Sequence, residues 1–212
     1  MSDLFEQISA KLIAGQLDDV AKLTQEAVDK GNGAQDILEK GLLAGMDVVG
    51  QRFKANDMFI PEVLRCAQCM HGAMEILRPL LAESGAEALG KVVIGTVKGD
   101  LHDIGKNLVS MMFNGAGFEV NDIGVDKDPA AFVTAVKESS ANIVGLSALF
   151  TTTMPQMAAT VKAIEEAGIR QQVKIMVGGA PVTQAFAEEN GADAYTSNAA
   201  SAVDKAKELI AA

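Results

Sequence analysis

The sequence lacks the features that mark several broad classes of protein. No apolar run approaches the roughly 20 residues that a membrane-spanning helix needs. There is no run of basic residues, and a net charge of −10 on 212 residues disfavours non-specific binding to nucleic acid or to an anionic membrane surface. The first residues, MSDLFE, lack the positive-then-apolar profile of a secretory signal peptide. We therefore expect a cytoplasmic protein that binds neither nucleic acid nor membranes.

Cysteine is also scarce, since the chain contains only Cys66 and Cys69. Together they form a C-x-x-C motif, a spacing that is compatible with redox, zinc or haem-attachment sites. A haem motif requires histidine directly after the second cysteine, where Met70 stands, and a structural zinc site needs four ligands close together. The two side chains would share one face of a helix. We interpret them as small apolar residues of that helix and expect no disulfide.

The first 83 residues show helical periodicity and no convincing strand. Apolar stripes predict four amphipathic helices, carried by Leu4, Ile8, Leu12 and Ile13, by Val20, Leu23 and Val28, by Ile37, Leu38, Leu42, Met46 and Val49, and by a run from Pro61 towards Leu80. Four such helices with short connections predict a small bundle. Residues 82–90, AESGAEALG, are small or charged and are typical of a linker.

Beyond residue 90, apolar runs alternate with helical patterns. The predicted strands lie near 92–97, 118–123, 142–147, 173–177 and 193–195, and the predicted helices near 103–116, 129–139, 154–167, 182–189 and 199–211. This alternation predicts a doubly wound, flavodoxin- or Rossmann-like five-stranded parallel sheet. We therefore expect an α/β protein with a helical bundle and linker over residues 1–90 and the sheet domain over residues 91–212.

The segment KGDLHDIGKN, residues 98–107, places one of only two histidines on the loop that follows the first strand. Open α/β sheets bind ligands at this carboxyl edge, so His102 is a candidate metal ligand. Its second ring nitrogen would need an acceptor, for which Asp100 is close in sequence, and Gly105 would let the next helix begin near a ligand. The alternative is a flavodoxin-like domain without a metal, in which His102 is incidental and the glycines only permit tight turns.

Two further strands end at the same predicted edge, in GLSAL (residues 145–149) and VGGA (residues 177–180). Small or hydroxylated groups therefore border a cleft that a bulky group could enter. The three patterns Asp-x-His-x-x-Gly, Ser-x-Leu and Gly-Gly occur in this order, and in this respect the chain resembles the cobalamin-binding domain of methionine synthase and of corrinoid proteins in methyltransferase systems.

The resemblance implies roles for individual residues. His102 would be the lower axial ligand of cobalt, Asp100 would accept the hydrogen bond from its other nitrogen, and Thr153 would supply the hydroxyl at the end of the family's Asp–His–Ser relay. These three are our predicted catalytic residues, with His102 as the metal ligand. Further cofactor contacts implied by the resemblance are Gly99, Leu101, Asp103, Gly105, Ser147, Leu149, Thr151, Gly178, Gly179 and Ala199.

The helical half resembles the cap that precedes this domain in methyltransferase corrinoid proteins. The similarity lies in GMDVVGQRF, residues 45–53, and in MFIPEV, residues 58–63. It implies that Phe53, Ile60 and Val63 lie over the upper, methyl-bearing face of the corrin and that Glu39 is a polar cofactor contact. Their residue types alone favour the bundle core for the three apolar positions. A cap must move to admit partners, and residues 82–90 are the predicted hinge.

The resemblance as a whole implies a corrinoid methyl carrier, a non-catalytic subunit that binds cobalamin or a related corrinoid as methylcob(III)alamin or cob(I)alamin. Its expected partners are a substrate-specific methyltransferase, an acceptor methyltransferase acting on tetrahydrofolate or coenzyme M, and a reductive activase. One alternative is the small subunit of an adenosylcobalamin-dependent mutase, although such subunits normally lack the cap. Another is a cobalamin-sensing regulator, although no DNA-binding module or basic recognition helix is evident.

Overall fold

The computed structural model describes residues 3–84 and 88–211, with the side chains of residues 82–84 left out of the description. The chain divides into two compact units. One comprises Met1–Ala88 with Asn114–Gly117, and the other comprises Leu89–Phe113 with Phe118–Ala212.

The first unit is helical, because its apolar residues recur at a spacing that gives each helix one buried face. Its helices are α1 (Leu4–Ile13), α2 (Leu17–Asp29), α3 (Ala34–Asp36), the π-helical segment Ile37–Leu43, α4 (Ala44–Lys54) and α5 (Ile60–Ser84). Residues from each of the predicted stripes are buried, among them Leu12, Val20, Leu42 and Leu77. The predicted helical bundle is confirmed.

The third predicted helix differs from expectation in its middle. Helix α3, the π-helical segment and α4 follow one another without a break, so one helical run contains a stretch of wider winding. Two glycines of this run lie against α1: a β-carbon on Gly41 would lie 3.1 Å from Ile8 Cγ2, and one on Gly45 would lie 3.2 Å from Leu12 Cδ2. Close packing against α1 therefore requires small residues here.

The predicted linker begins too early. Helix α5 continues to Ser84, so residues 82–84 are helical, which agrees with the good helix propensity of alanine and glutamate. Residues 85–87, the middle of the predicted linker and hinge, lie outside the described residues.

The second unit contains a five-stranded parallel sheet with the strand order β2-β1-β3-β4-β5. The strands are β1 (Lys91–Thr96), β2 (Glu119–Asp122), β3 (Ile143–Ser147), β4 (Lys174–Gly178) and β5 (Ala194–Tyr195). The connecting helices are α6 (Ile104–Gly115), α7 (Pro129–Ser139), α8 (Met154–Glu166) and α9 (Gln184–Glu189), followed by α10 (Ala199–Ala211). This is the predicted doubly wound fold, with each boundary within about two residues of its predicted position.

The sheet has its fully buried strands in the middle, where apolar β-branched residues pack on both faces. Val93 of β1, Val144 of β3 and Ile175 of β4 are 0% exposed and pack with Phe132 of α7 and Met157 of α8. Edge strand β2 is mostly exposed. The chain order reverses between β1 and β3, and ligands bind beyond the carboxyl ends of strands at such a point.

Backbone pairing continues past the strand ends and brings the loops together. The Val97 N–H donates to the Ser147 carbonyl at 3.0 Å, and the Ala148 N–H donates to the Gly178 carbonyl at 3.2 Å. The loops after β1, β3 and β4 therefore form one edge, as their strand positions predicted. In the described residues, no helix is both long enough and apolar enough to cross a membrane.

Candidate functional site

The loop after β1 places a histidine beside the switch point of the sheet. Gly99 adopts a φ of +81°, a left-handed conformation that glycine reaches without steric cost, and so turns the chain back towards the sheet. The Thr96 hydroxyl donates to the His102 carbonyl at 2.8 Å, which holds the far side of the loop against the end of β1.

Asp100 lies at the centre of this loop, with its side chain 0% exposed. One carboxylate oxygen, Oδ1, accepts from the His102 backbone N–H at 3.0 Å and contacts His102 Nδ1 at 2.7 Å. The other, Oδ2, accepts from the Leu149 N–H at 2.6 Å and the Thr153 hydroxyl at 3.0 Å. Burial raises the pKa of Asp100, but these hydrogen bonds favour its charged form more strongly and lower the pKa to about 2.

His102 presents one ring nitrogen to its surroundings. Because the Asp100 carboxylate can only accept a hydrogen bond, it holds a proton on Nδ1 and leaves Nε2 as the nitrogen that carries the lone pair. The His102 side chain is 45% exposed. Among the described residues, Nε2 makes no hydrogen bond. The imidazole is therefore oriented on one side and available as a ligand on the other.

Thr153 joins the group from the loop between β3 and α8. Its hydroxyl oxygen is 3.0 Å from Asp100 Oδ2 and 2.9 Å from the Phe150 carbonyl, and its single proton can be donated to one of them at a time. The structure thus brings together Asp100, His102 and Thr153, the three predicted catalytic residues. Their catalytic role remains a prediction.

Exposed apolar side chains surround the histidine. Leu101 is 71% exposed, Ile104 78%, Leu149 40% and Phe150 50%. The Phe150 ring meets the His102 ring edge to face, with 4.7 Å between ring centroids. The sequence analysis did not select Phe150, although its position just past the end of β3 was a usable signal. Several exposed apolar groups beside one open imidazole are typical of an interaction surface.

The predicted cofactor contacts on the other loops take up different environments. A β-carbon on Gly179 would lie only 1.8 Å from the Ala148 carbonyl oxygen, so this glycine is required for the loops after β3 and β4 to meet. A β-carbon on Gly105 would have nothing within 4 Å, which leaves open space beside the start of α6. Ser147 and Gly178 are half-buried, Thr151 and Asp103 are exposed, and Ala199 is buried at the start of α10.

The predicted contacts in the helical unit differ in accessibility. Glu39 is exposed in the π-helical segment and accepts from Gln35 Nε2 at 2.6 Å. Ile60 is 43% exposed, Phe53 is half-buried, and Val63 is 0% exposed. Full burial is what the bundle-core alternative expected for Val63. The cofactor contacts predicted for all four residues remain predictions.

The helical unit also contains a cavity of about 460 Å³, lined among others by Ile13, Arg52, Asp57, Arg65 and Cys66. None of the predicted site residues lines it. Cys66 and Cys69 are free and buried, and the Cys66 thiol donates to the Ile13 carbonyl at 3.6 Å. Burial raises the pKa of Cys66 to about 11, with smaller contributions from Cys69 and Glu62. The interpretation of the C-x-x-C motif as packed apolar residues agrees with these positions.

The donor set at the sheet edge fits a metal that brings most of its own ligands. Within the two described ranges, no three side chains from His, Cys, Asp and Glu converge on a point that could hold a bare ion. His102 instead offers one oriented imidazole among apolar groups, with open space at Gly105. A metal enclosed in a macrocycle needs one axial protein ligand and apolar contact for the ring. Fold and site therefore define an α/β protein with one oriented histidine at the carboxyl edge of its sheet, a donor set compatible with such a cofactor.

Comparison with known proteins identifies the family to which the chain belongs. Residues 90–204 match the family described as B12 binding domain, and residues 4–78 match a second family with the same description. Dimethylamine corrinoid protein 1 of Methanosarcina acetivorans is 45% identical, with 99% of this chain and 98% of that protein covered. The chain belongs to the family of B12-binding corrinoid proteins, and its cofactor is a corrinoid.

Two solved structures agree over nearly the whole chain. A cobalamin-binding protein from Desulfitobacterium hafniense DCB-2 superposes with a TM-score of 0.81 at 32% identity, covering 99% of both chains. A chain of the methanol:cobalamin methyltransferase complex MtaBC from Methanosarcina barkeri superposes with a TM-score of 0.88 at 30% identity, covering 98% of this chain and 80% of that one. Both similarities extend through the helical unit as well as the sheet unit.

Proposed function

We propose that this protein is a corrinoid methyl carrier, with His102 as the lower axial ligand of cobalt. The observation that carries the proposal is the Asp100–His102 pair at the sheet edge. Its 2.7 Å contact fixes the tautomer, while Nε2 makes no hydrogen bond to any described residue. When bound, the corrinoid supplies a cobalt ion that accepts a methyl group and passes it on.

The protein's own contribution is control of the imidazole. With Nε2 as the ligand, the buried Asp100 carboxylate would hold the Nδ1 proton and make the imidazole a stronger donor. If Nε2 were not a ligand, the 2.7 Å contact between Nδ1 and Asp100 would still hold the ring in place. The Leu149 N–H and the Thr153 hydroxyl hold the carboxylate in its charged form throughout. These groups would keep the imidazole in one tautomer and one orientation for the cofactor.

Relatives support a carrier and not a complete enzyme. A chain of similar fold belongs to a methanol:cobalamin methyltransferase complex, and a close relative is named for dimethylamine. We infer that this chain exchanges methyl groups with a substrate-specific methyltransferase and with a second enzyme acting on tetrahydrofolate or coenzyme M, after reductive activation. The methyl donor is then decided by the partner enzyme. The cytoplasm is the expected compartment, as the sequence composition predicts.

Anaerobic reconstitution tests the proposal directly. The purified chain is loaded with hydroxocobalamin and desalted, and bound cobalt and the visible spectrum are then recorded. We expect near-stoichiometric cobalt in the wild-type protein. His102→Ala should change the spectrum and weaken retention about 10-fold or more, because the axial donor is lost.

The chain provides a matched control in His71, an exposed histidine of α5. His71→Ala should leave both retention and spectrum unchanged. If the wild-type protein retains no corrinoid, or if the two histidine variants behave alike, the proposed ligand is wrong. Loading with adenosylcobalamin separates the mutase alternative: stable and selective retention of the adenosyl form would argue against a methyl carrier.

A further inference from the structure

The loop between β2 and α7 contacts the histidine loop in a way that the sequence analysis did not anticipate. The Lys127 N–H donates to the Thr96 carbonyl at 3.0 Å, and the Thr96 N–H donates to the Gly124 carbonyl at 2.9 Å. Val97 and Lys127 form a parallel bridge. Pairing between β1 and β2 therefore extends beyond the ends of both strands. As a result, the β2–α7 loop lies beside the loop that carries Asp100 and His102.

Asp126 makes the contacts nearest to the histidine. Its backbone N–H donates to the Asp100 carbonyl at 3.0 Å, and its Oδ1 accepts from the Gly99 N–H at 2.7 Å. Asp126 thus forms hydrogen bonds with two consecutive residues of the histidine loop: it accepts from Gly99 and donates to Asp100. The second bond has a carboxylate as its acceptor, which makes it stronger than a bond between neutral groups.

The backbone of Asp126 is itself in an uncommon conformation. Its φ is +53°, in the left-handed region, which aspartate and asparagine tolerate better than other residues with a β-carbon. A residue in this region persists where the surrounding structure holds it in place, and such positions concentrate at functional sites. Here the conformation lets the backbone and the side chain of one residue reach the same loop.

We propose that Asp126 is a positioning residue for the corrinoid ligand. By holding the Gly99 and Asp100 peptides, it places the Asp100 carboxylate where it meets His102 Nδ1, so that Nε2 is presented in one orientation. The proposal deepens the proposed function and rests on it. Asp126 acts through Asp100 and is assigned no contact with the cofactor.

Three variants test separately the Asp126 carboxylate, its charge, and the loss of charge at a neighbouring position. Asp126→Gly removes the carboxylate but keeps the left-handed backbone and the N–H that bonds Asp100. Asp126→Asn removes the charge but keeps a side-chain oxygen for the Gly99 N–H. Asp128→Ala is the matched control. It removes the same charge from an exposed residue of the same loop, but the Oδ1 of Asp128 accepts from the Ala131 N–H at the start of α7 and not from the histidine loop.

The first measurement uses the full-length apoprotein, with no cofactor. Amide hydrogen exchange at Gly99 should become at least 10-fold faster in Asp126→Gly, while Asp126→Asn should retain most of the wild-type protection. Asp128→Ala should leave the Gly99 amide unchanged. If exchange at Gly99 is the same in Asp126→Gly as in the wild-type protein, the carboxylate does not hold this loop and the proposal is wrong.

The second measurement uses the reconstituted protein. We expect the dissociation constant for cobalamin to rise about 10-fold in Asp126→Gly, the lower end of the loss seen when the outer partner of a metal ligand is removed. In protein labelled with ¹⁵N-histidine, so that the signal cannot come from the cofactor's own base, the nitrogen hyperfine splitting from His102 in the cobalt(II) electron paramagnetic resonance spectrum should weaken in parallel. In Asp126→Asn, the dissociation constant and the splitting should both stay close to their wild-type values.

The outcomes distinguish the two proposals. Failure of the wild-type protein to show the histidine splitting overturns the axial ligand itself, whatever the variants do. Wild-type splitting with equal behaviour of Asp126→Gly and Asp128→Ala overturns only the positioning role. A defect in Asp126→Asn as large as that in Asp126→Gly would show that negative charge and not the Gly99 hydrogen bond matters, which also contradicts the positioning role.

Discussion

At the scale of single residues, the site depends on a carboxylate that is buried and charged at once. Removing such a group from water is costly, and Asp100 tolerates it because donors reach both of its oxygens. Two of those donors belong to His102, two residues away, and the other two come from Leu149 and Thr153. A local pair that the sequence displays is thus completed by a loop that is distant in the chain.

The low pKa of Asp100 predicts how the stability of the apoprotein depends on pH. The folded-state pKa of about 2 lies below the ordinary value of 3.8, so the carboxylate stabilises the fold fully above about pH 4. That contribution, about 2 kcal/mol, is lost as the pH falls through about 2. Asp100→Asn should therefore be less stable than the wild-type protein at pH 5, and the difference should narrow towards pH 2.5.

Denaturant unfolding across this pH range measures the difference. Asp57→Asn, a change at an exposed residue outside the sheet unit, serves as the control for the substitution itself and should change the free energy of unfolding by less than about 0.5 kcal/mol at pH 5. A stability deficit in Asp100→Asn that stayed constant from pH 5 to pH 2.5 would contradict the assignment.

Cys66 gives a second prediction at this scale. The residue is 1% exposed, and its pKa of about 11 lies above the ordinary value of 9.0. The thiolate is the reactive form, so alkylation of the folded protein at pH 8 should be about 100-fold slower than that of a free thiol and should become fast on unfolding. Mass spectrometry after iodoacetamide treatment with and without denaturant measures this. Rapid native labelling, or a Cys66–Cys69 disulfide, would revive the redox interpretation.

At the scale of secondary-structure elements, helix α6 is tied to edge strand β2 by a buried charge. The Lys106 side chain is 3% exposed and forms an ion pair with Asp122. Asp122 also accepts from the Gly124 N–H at 2.9 Å, and Lys106 donates to Asn107 Oδ1 at 2.6 Å. Since α6 begins two residues after His102, this pair fixes the helix on which the histidine loop ends.

Breaking the pair from one side should be costly. Asp122→Ala leaves the Lys106 ammonium buried without its counter-charge and should lower the free energy of unfolding by about 3 kcal/mol. Adding Lys106→Met removes the unpaired buried charge and should recover most of the lost free energy of unfolding. Glu26→Ala breaks the exposed Lys30–Glu26 pair and should cost less than about 1 kcal/mol. Urea unfolding of the four proteins tests this, and a double variant no more stable than Asp122→Ala would contradict it.

At the scale of the whole molecule, we propose that residues 91–212 fold as a domain of their own. The core of the sheet unit is made by its own strands and helices, with Phe132, Met157 and Ile175 fully buried in one cluster. Expressed alone, this fragment should unfold in one cooperative thermal transition. It should also retain cobalamin in a manner that depends on His102.

Calorimetry and cobalt retention measure these two properties. The fragment carrying His102→Ala is the control, and it should show the same transition without the histidine signal. A fragment with no cooperative transition would show that the helical unit is needed for folding, and the proposed domain boundary would then be wrong.

The sequence by itself determined the elements and their order. Apolar residues spaced for helices or grouped into short β-branched runs report which faces are buried, and that is a local property. The sequence also placed His102 at the end of β1 and Asp100 beside it, because both belong to one short loop. The π-helical segment was not predictable in this way, since a wider turn within a helix leaves an apolar stripe nearly unchanged.

Only the tertiary structure decided that Leu149 and Asp126 meet that loop. Leu149 lies 49 positions from Asp100, and Asp126 lies 27 from Gly99. Thr153, 53 positions from Asp100, was reached through the family resemblance and not through any local pattern. The strand order β2-β1-β3 brings the loops that carry them to either side of the β1 loop. Local periodicity carries no information about which strands become neighbours, because strand order is set by how the helices cover both faces of the sheet. His102 and Asp100 could therefore be predicted from the sequence pattern, whereas the contacts from the other two loops could not.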